Sequence, residues 1–376
     1  MLRRLGLFLS LFFCFFILLS LSASAVELPE GFSQLSELLP DEARELLPDG
    51  GISEDLDGSG EYLVQLLESK RLLTLVLQMV EDGLFSSLKL FAALCGLLLI
   101  SSVVSALCRS LSSDALSGAF GFCSSVVVFA SVIQMQREHI LAVELFFERL
   151  CAMMNAMVPI TGIVWAMGGN LTTATVGTSQ LYFFVSICEG LCAKSIAPVC
   201  CVFTALAICN TVCPEMGLKG LMGAFKKIYS FSLGAIMTLL VASLSAQTTL
   251  TAAADCTAAK AARLVSVNVI PVVGGSVGET LRTVASGVQY LKSVVGVWGI
   301  VLIALLTLPV LLSLVLTRLA FLLSSGVAEM LGCETEEKLL AELGGIYAFM
   351  VAVVSMSAVM FIFALTIFSK TVVAVI

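Results

Sequence analysis

The chain has 376 residues, 59% of them hydrophobic and only 12% charged, and its mean hydropathy is +1.06. Charged residues make up about a quarter of an ordinary soluble domain, so there is too little charge here to coat a soluble protein of this size, and the bilayer must solvate most of the surface. The net charge of −7 and the lack of any basic stripe exclude a nucleic-acid partner.

Arg3 and Arg4 form a positive start, Leu5 to Leu21 is an apolar run, and Ala23-Ser24-Ala25 is a small-residue cleavage site. This order predicts a cleavable signal peptide over 1–25, cut after Ala25. Residues 26–62 follow with eleven acids, among them Glu27, Asp41 and Asp57, and are broken by Pro29, Pro40, Pro48 and Gly50-Gly51. They read as a small solvated extracytoplasmic head or as a flexible spacer. Tyr62 to Val80 is amphipathic and suits the membrane surface, so 26–82 is one region and 83–376 a multi-pass membrane domain.

A span needs about 20 apolar residues. Leu84–Leu107 and Ala115–Gln134 qualify, and Gln136–Arg149 reads as a charged amphipathic connector. Cys151–Gly168 is the next span, followed by a tight turn at Gly168-Gly169-Asn170. Leu171–Glu189 and Leu191–Val212 read as two further spans, Pro214–Lys227 as a loop and Ile228–Ala246 as another span. After a weakly apolar stretch, Ser293–Thr317 is strongly apolar, Arg318–Leu331 continues as an amphipathic helix, Glu334–Lys338 reads as a polar loop and Leu340–Phe368 as the last span. The expected fold is all-α, a polytopic transmembrane bundle of about seven or eight spans. With the mature N-terminus outside, five spans place 214–227 inside, where Lys219, Lys226 and Lys227 satisfy the positive-inside rule.

No enzyme motif is present. His139 is the single histidine, which excludes H-E-x-x-H, and neither a P-loop nor a G-x-S-x-G elbow occurs. A non-enzymatic protein without cofactor or metal is expected. Cys188/Cys192 and Cys209/Cys213 are spaced i,i+4 and are able in principle to hold a soft metal; small apolar residues at helix contacts are the simpler reading. The thirteen cysteines form no disulfide framework. Lys89, Glu189, Lys194 and Arg318 lie in or beside spans, as intramembrane ion partners or as snorkelling side chains. Small-residue patterns such as Ser117-x-x-x-Gly121 fit close packing within the bundle or between copies in a homo-oligomer.

The stretch from 247 to 292 is too polar for a span and too apolar for a loop. It holds Asp255, Lys260, Arg263, Asn268, Glu279, Arg282 and Lys292, with Pro271 and Gly274-Gly275. Broken helices folded back between others would suit this mixture, since charges at depth face a partner or a cavity; an interfacial loop with solvated charges is the plainer alternative.

From Asp255 to Gly299 the sequence also resembles the stage III sporulation protein AE family. The residues that carry the likeness are Asp255, then Lys260 and Arg263, then Asn268-Val269-Ile270-Pro271-Val272-Val273-Gly274, Glu279, Leu291-Lys292 and Gly296-Val297-Trp298-Gly299. Val269 and Glu279 stand where the family pattern has an aromatic residue and an Asp. The resemblance implies a membrane subunit of the trans-envelope, secretion-like channel complex of endospore development. That subunit sits in the mother-cell membrane around the forespore, beside the other proteins of the stage III sporulation A operon, and a forespore membrane protein meets the complex from the other side. The functional core is expected in Asp255–Lys292, with Asp255 and Glu279 pairing with Lys260, Arg263 or Arg282, and Pro271 and Gly274 setting the turn. The alternative is a stand-alone secondary transporter for a small solute, with a midplane site and discontinuous helices.

Overall fold

The computed structural model describes residues 70–110, 114–212, 218–269 and 274–371. The signal peptide with Ala25, and the acidic head, lie outside the described residues. What is described is helical, without strands: α1 (Lys70–Ser110), α2 (Asp114–Met167), α3 (Leu171–Cys188), a π-helical turn at Glu189–Ala193, α4 (Ile196–Val212), α5 (Leu218–Val269), α6 (Gly274–Met330) and α7 (Glu334–Lys370). Among the described residues, six helical stretches are long and apolar enough to cross a membrane: Gly83–Leu107, Val126–Met167, Leu171–Thr211, Gly220–Ala261, Ala285–Met330 and Glu334–Lys370. Six is close to the expected number. The difference comes from two places where the chain runs straight on instead of turning back.

The first is the middle of α2. Gln136–Arg149 is not a connector but part of one helix of 54 residues. It contains neither glycine nor proline, its Glu, Leu, Arg and Ala are good helix formers, and its apolar Ile140, Val143, Phe147 and Leu150 are buried at helical spacing. The second is the join between α3 and α4. Phe184 meets Phe361, Cys192 meets Ser357, and Phe203 meets Phe349. The residue number on α7 falls steadily as the number on α3 and α4 rises, so the two helices form a single pass antiparallel to α7. The π-helical turn between them loosens the backbone ladder, and Ser195 Oγ and Tyr229 OH of α5 both donate to the carbonyl of Leu191 there. An apolar setting demands such a substitute partner.

α7 is the spine of the bundle, and its contacts define two ends. At the Glu336 end, Ser101 Oγ donates to Glu336 Oε1 at 2.9 Å and Ser102 Oγ to the Leu331 carbonyl at 3.3 Å. The end of α1 is thereby tied to the turn between α6 and α7. At the Thr371 end, Trp165 lies edge-on to Phe368 with ring centroids 5.3 Å apart, and Lys292 reaches Thr371. Glu334–Lys338 is the first turn of α7 rather than a loop; Glu334, Glu336 and Glu337 sit at its N-terminus, where negative charge favours the helix dipole. α6 and α7 approach closely at Gly296 and Gly299. A Cβ on Gly296 would overlap Ser369 Oγ and come within 2.9 Å of Ser369 Cβ, and one on Gly299 would lie 2.6 Å from Leu365 Cδ1.

The outward faces are apolar, as lipid requires: Phe231 is 79% and Leu239 70% exposed on α5. Inside, Trp165, Trp298, Phe184 and Phe361 fill the core. Among the described residues, the stretch from 247 to 292 is helix rather than loop. α5 continues to Val269 and α6 starts at Gly274. The reason lies in Thr251–Ala262, where alanine, the strongest helix former, occupies seven of twelve positions. Pro271, which lacks the N–H a helix needs, falls just past the end.

Candidate functional site

Asp255 and Lys292, two of the charges singled out in the sequence, come to the same end of the bundle, the Thr371 end. Each holds the end of another helix.

α3 begins after the turn at Gly168-Gly169-Asn170, where Gly169 has φ +75°, a conformation that glycine adopts without strain. Asn170 does not cap the helix with its side chain. Asp255, from α5, does so instead. Its Oδ1 accepts the Thr172 N–H at 3.1 Å, and its Oδ2 accepts the Thr173 N–H and the Thr173 hydroxyl, both at 2.8 Å. The first N–H groups of a helix have no partner within it, and a carboxylate there is favoured by both hydrogen bonding and the dipole.

Lys292 performs the opposite task. It lies on α6, is 1% exposed, and donates from Nζ to the carbonyl of Thr371, the C-cap residue of α7. Its Nζ is 5.9 Å from the centroid of the Phe368 ring. A cation at a helix C-terminus is favoured by the same dipole, and the last carbonyls of a helix need a donor. One acid at a helix start and one base at a helix end thus clamp α3 to α5 and α7 to α6.

Between α5 and α7, against both clamps, lies a cavity of about 430 Å³ lined in part by Thr248, Thr249, Cys256, Thr366, Lys370 and Thr371. Its hydroxyls are partly spent on the helices themselves: Thr248 Oγ1 donates to the Leu244 carbonyl and Thr366 Oγ1 to that of Ile362.

The other candidates are distributed as follows. Lys260 is exposed on α5, five residues beyond Asp255 and turned away from it. Arg263 and Asn268 lie towards the end of α5; Gly274 opens α6, with Glu279 and Arg282 in its first turns. Pro271 lies outside the described residues. The partners of Asp255 among the described residues are Thr172 and Thr173, in place of the basic groups expected from the sequence. Sequence reasoning missed Thr172, Thr173 and Thr371. The signal for the first two was present in Gly168-Gly169-Asn170 followed by Leu-Thr-Thr, a turn and then a helix start without an acid of its own.

Cys188 and Cys192 are buried packing groups. Cys188 Sγ is 3.4 Å from Met237 Sδ, and Cys192 Sγ is 3.5 Å from Ser357 Oγ. Cys213 lies outside the described residues. Glu189 and Lys194, on either side of the π-helical turn, pair at 3.1 Å on the outward side of this pass, where each charge needs the other as its partner.

These features define a polytopic α-helical membrane protein whose helix ends are fixed by buried charges. The chain belongs to the stage III sporulation protein AE family, whose model matches residues 61–371. That match covers every described helix. Comparison with curated proteins and with solved structures finds no match.

Proposed function

We propose that the chain is a non-enzymatic membrane subunit of a trans-envelope, secretion-like channel complex that supports endospore development. The observation that carries this reading is the family match across the whole bundle, 61–371, together with six stretches able to cross a membrane. In this reading the chain sits in the mother-cell membrane around the forespore. It works beside the other products of the stage III sporulation A operon and meets a forespore membrane protein through them.

With a cleaved signal peptide, the Thr371 end faces the space between the two membranes. Three passes precede 213–217, which leaves the parity of the five expected from sequence unchanged, and so Lys219, Lys226 and Lys227 stay at the cytoplasmic end. The clamped residues around Asp255 and Lys292 then face the partner membrane and present a fixed surface to the rest of the complex.

The test is deletion of the gene in a spore-forming host, scored for heat-resistant spores and forespore size. Complementation uses the wild type or Asp255→Ala at equal abundance in the membrane. Loss of spores with shrinking forespores after engulfment is expected. Normal sporulation of the deletion strain overturns the reading.

A further inference from the structure

A second cavity, of about 340 Å³, lies where α1, α2, α6 and α7 converge, nearer the Glu336 end. Its rim is charged. Lys89 of α1 and Glu138 of α2 both line it, and both are exposed. Its floor is closed by Thr317 and Phe321 of α6 and Tyr347 of α7, which are 3%, 0% and 0% exposed. His139 stands half-buried between rim and floor, edge-on to Tyr347 with ring centroids 5.5 Å apart. Phe321 packs on Tyr347 at 5.2 Å.

Three observations make this a built site rather than a packing fault. The Tyr347 hydroxyl is fully buried and has no hydrogen-bond partner among the described residues. Buried polar groups are nearly always satisfied, and an exception calls for an absent partner. Next, Lys89 and Glu138 carry opposite charges on one rim, yet they form no ion pair among the described residues; Lys89 Nζ instead lies 4.4 Å above the Phe85 ring. Lastly, the rim is set in an apolar wall. Leu88, next to Lys89 in the chain, and Leu141, one helical turn from Glu138, are 60% and 51% exposed, so two charges that do not pair with each other stand where a charge needs a partner or a cavity. The volume is in the range that takes a small molecule.

We propose that this cavity binds a compact zwitterion. The anionic group of the ligand lies against the Lys89 ammonium and the hydroxyls of Thr317 and Tyr347, and its ammonium lies against the Glu138 carboxylate. A ligand with one charge would leave the other rim residue unpaired, whereas a zwitterion bridges both. Two sources carry this chemistry: a free amino acid, and the phosphoethanolamine head of a lipid entering through the leucine wall. The inference does not depend on the proposed function, because it is read on the purified protein alone.

The test uses the full chain purified in a neutral detergent. In one arm L-alanine and L-phenylalanine are added, with acetate and ethylamine as single-charge controls, and thermal stability is followed. In the other arm phosphatidylethanolamine or phosphatidylglycerol is supplied, and retained lipid is counted by native mass spectrometry. The expected result is binding of a zwitterion from one arm, with affinity lowered about tenfold or more in both Lys89→Met and Glu138→Gln. Tyr347→Phe removes only the hydroxyl and leaves the fold intact, and it should weaken binding by several-fold. The arm that responds identifies the source. Absence of binding in both arms overturns the proposal, as does equal binding of the single-charge controls or binding that survives Glu138→Gln.

Discussion

Asp255 closes the start of α3 by accepting both the backbone N–H and the hydroxyl of Thr173 on one carboxylate oxygen, each at 2.8 Å. This bond joins residues 82 positions apart. It also explains why an acid is required in the middle of an otherwise alanine-rich helix. Asp255→Ala leaves the Thr172 and Thr173 N–H groups without their acceptor and should lower stability by about 2–4 kcal/mol, since hydrogen bonds to a charged group contribute about 1.5–3 kcal/mol each and do not add fully. Asp255→Asn keeps one acceptor oxygen and should cost about half as much. Unfolding of the purified chain by heat or by SDS measures both; equal stability of wild type and Asp255→Ala would remove the clamp from the account of the fold.

Lys292 calls for a different prediction, because its burial carries its own cost. A buried ammonium loses hydration, and replacement of a buried charge by an apolar group of similar shape is often neutral. Lys292→Met should therefore change stability by no more than about 1 kcal/mol, the lost bond to the Thr371 carbonyl being offset by relief of desolvation. Lys292→Glu places a negative group against that carbonyl and the negative end of α7 and should cost about 3–5 kcal/mol. The same unfolding assay separates the two. If Lys292→Met melts normally but fails to support sporulation, the lysine serves the complex rather than the fold.

The two clamps show what a sequence reveals and what it withholds. Asp255 and Lys292 stand out because charges in an apolar chain are rare, and rarity is local information. Their partners are backbone groups at the ends of distant helices, 82 and 79 residues away; a backbone N–H or carbonyl has no side-chain identity to notice. The same asymmetry governs the spans. Apolar length shows that Leu171–Glu189 and Leu191–Val212 are membrane helices, but a change of direction between them needs a turn. Glu189-Gly190-Leu191 has enough polarity and glycine to suggest one. Only the order of contacts, Phe184 to Phe361 and then Phe203 to Phe349, shows that the chain runs on. The cavity of Lys89, Glu138, His139 and Tyr347 was hidden for a related reason, since its lining comes from four helices.

Two glycines on α6 separate close approach from helix propensity. Gly287 has open space where a Cβ would stand, whereas Gly296 does not. Gly287→Ala should stabilise by about 0.5–1 kcal/mol through reduced backbone entropy. Gly296→Val should destabilise by about 1–3 kcal/mol or more, because α6 and α7 must part to admit the side chain. Opposite signs in one melting experiment support the packing described; a common sign refutes it.

The single pass through α3 and α4 has a topological consequence that distinguishes it from two spans. If the chain turned back at Glu189–Ala193, the links at 168–170 and at 213–217 would lie on the same side of the membrane. As one pass they lie on opposite sides, because Phe184, Cys192 and Phe203 march along α7 in one direction, from Phe361 to Ser357 to Phe349. Fusions of a reporter active on one side only, placed after Asn170 and after Glu215, should give opposite signals. With the N-terminus outside, the fusion after Asn170 is extracytoplasmic and the one after Glu215 cytoplasmic, beside Lys219, Lys226 and Lys227. Matching signals from the two fusions would restore the reversal at the π-helical turn and invert the side assigned to the stretch between them.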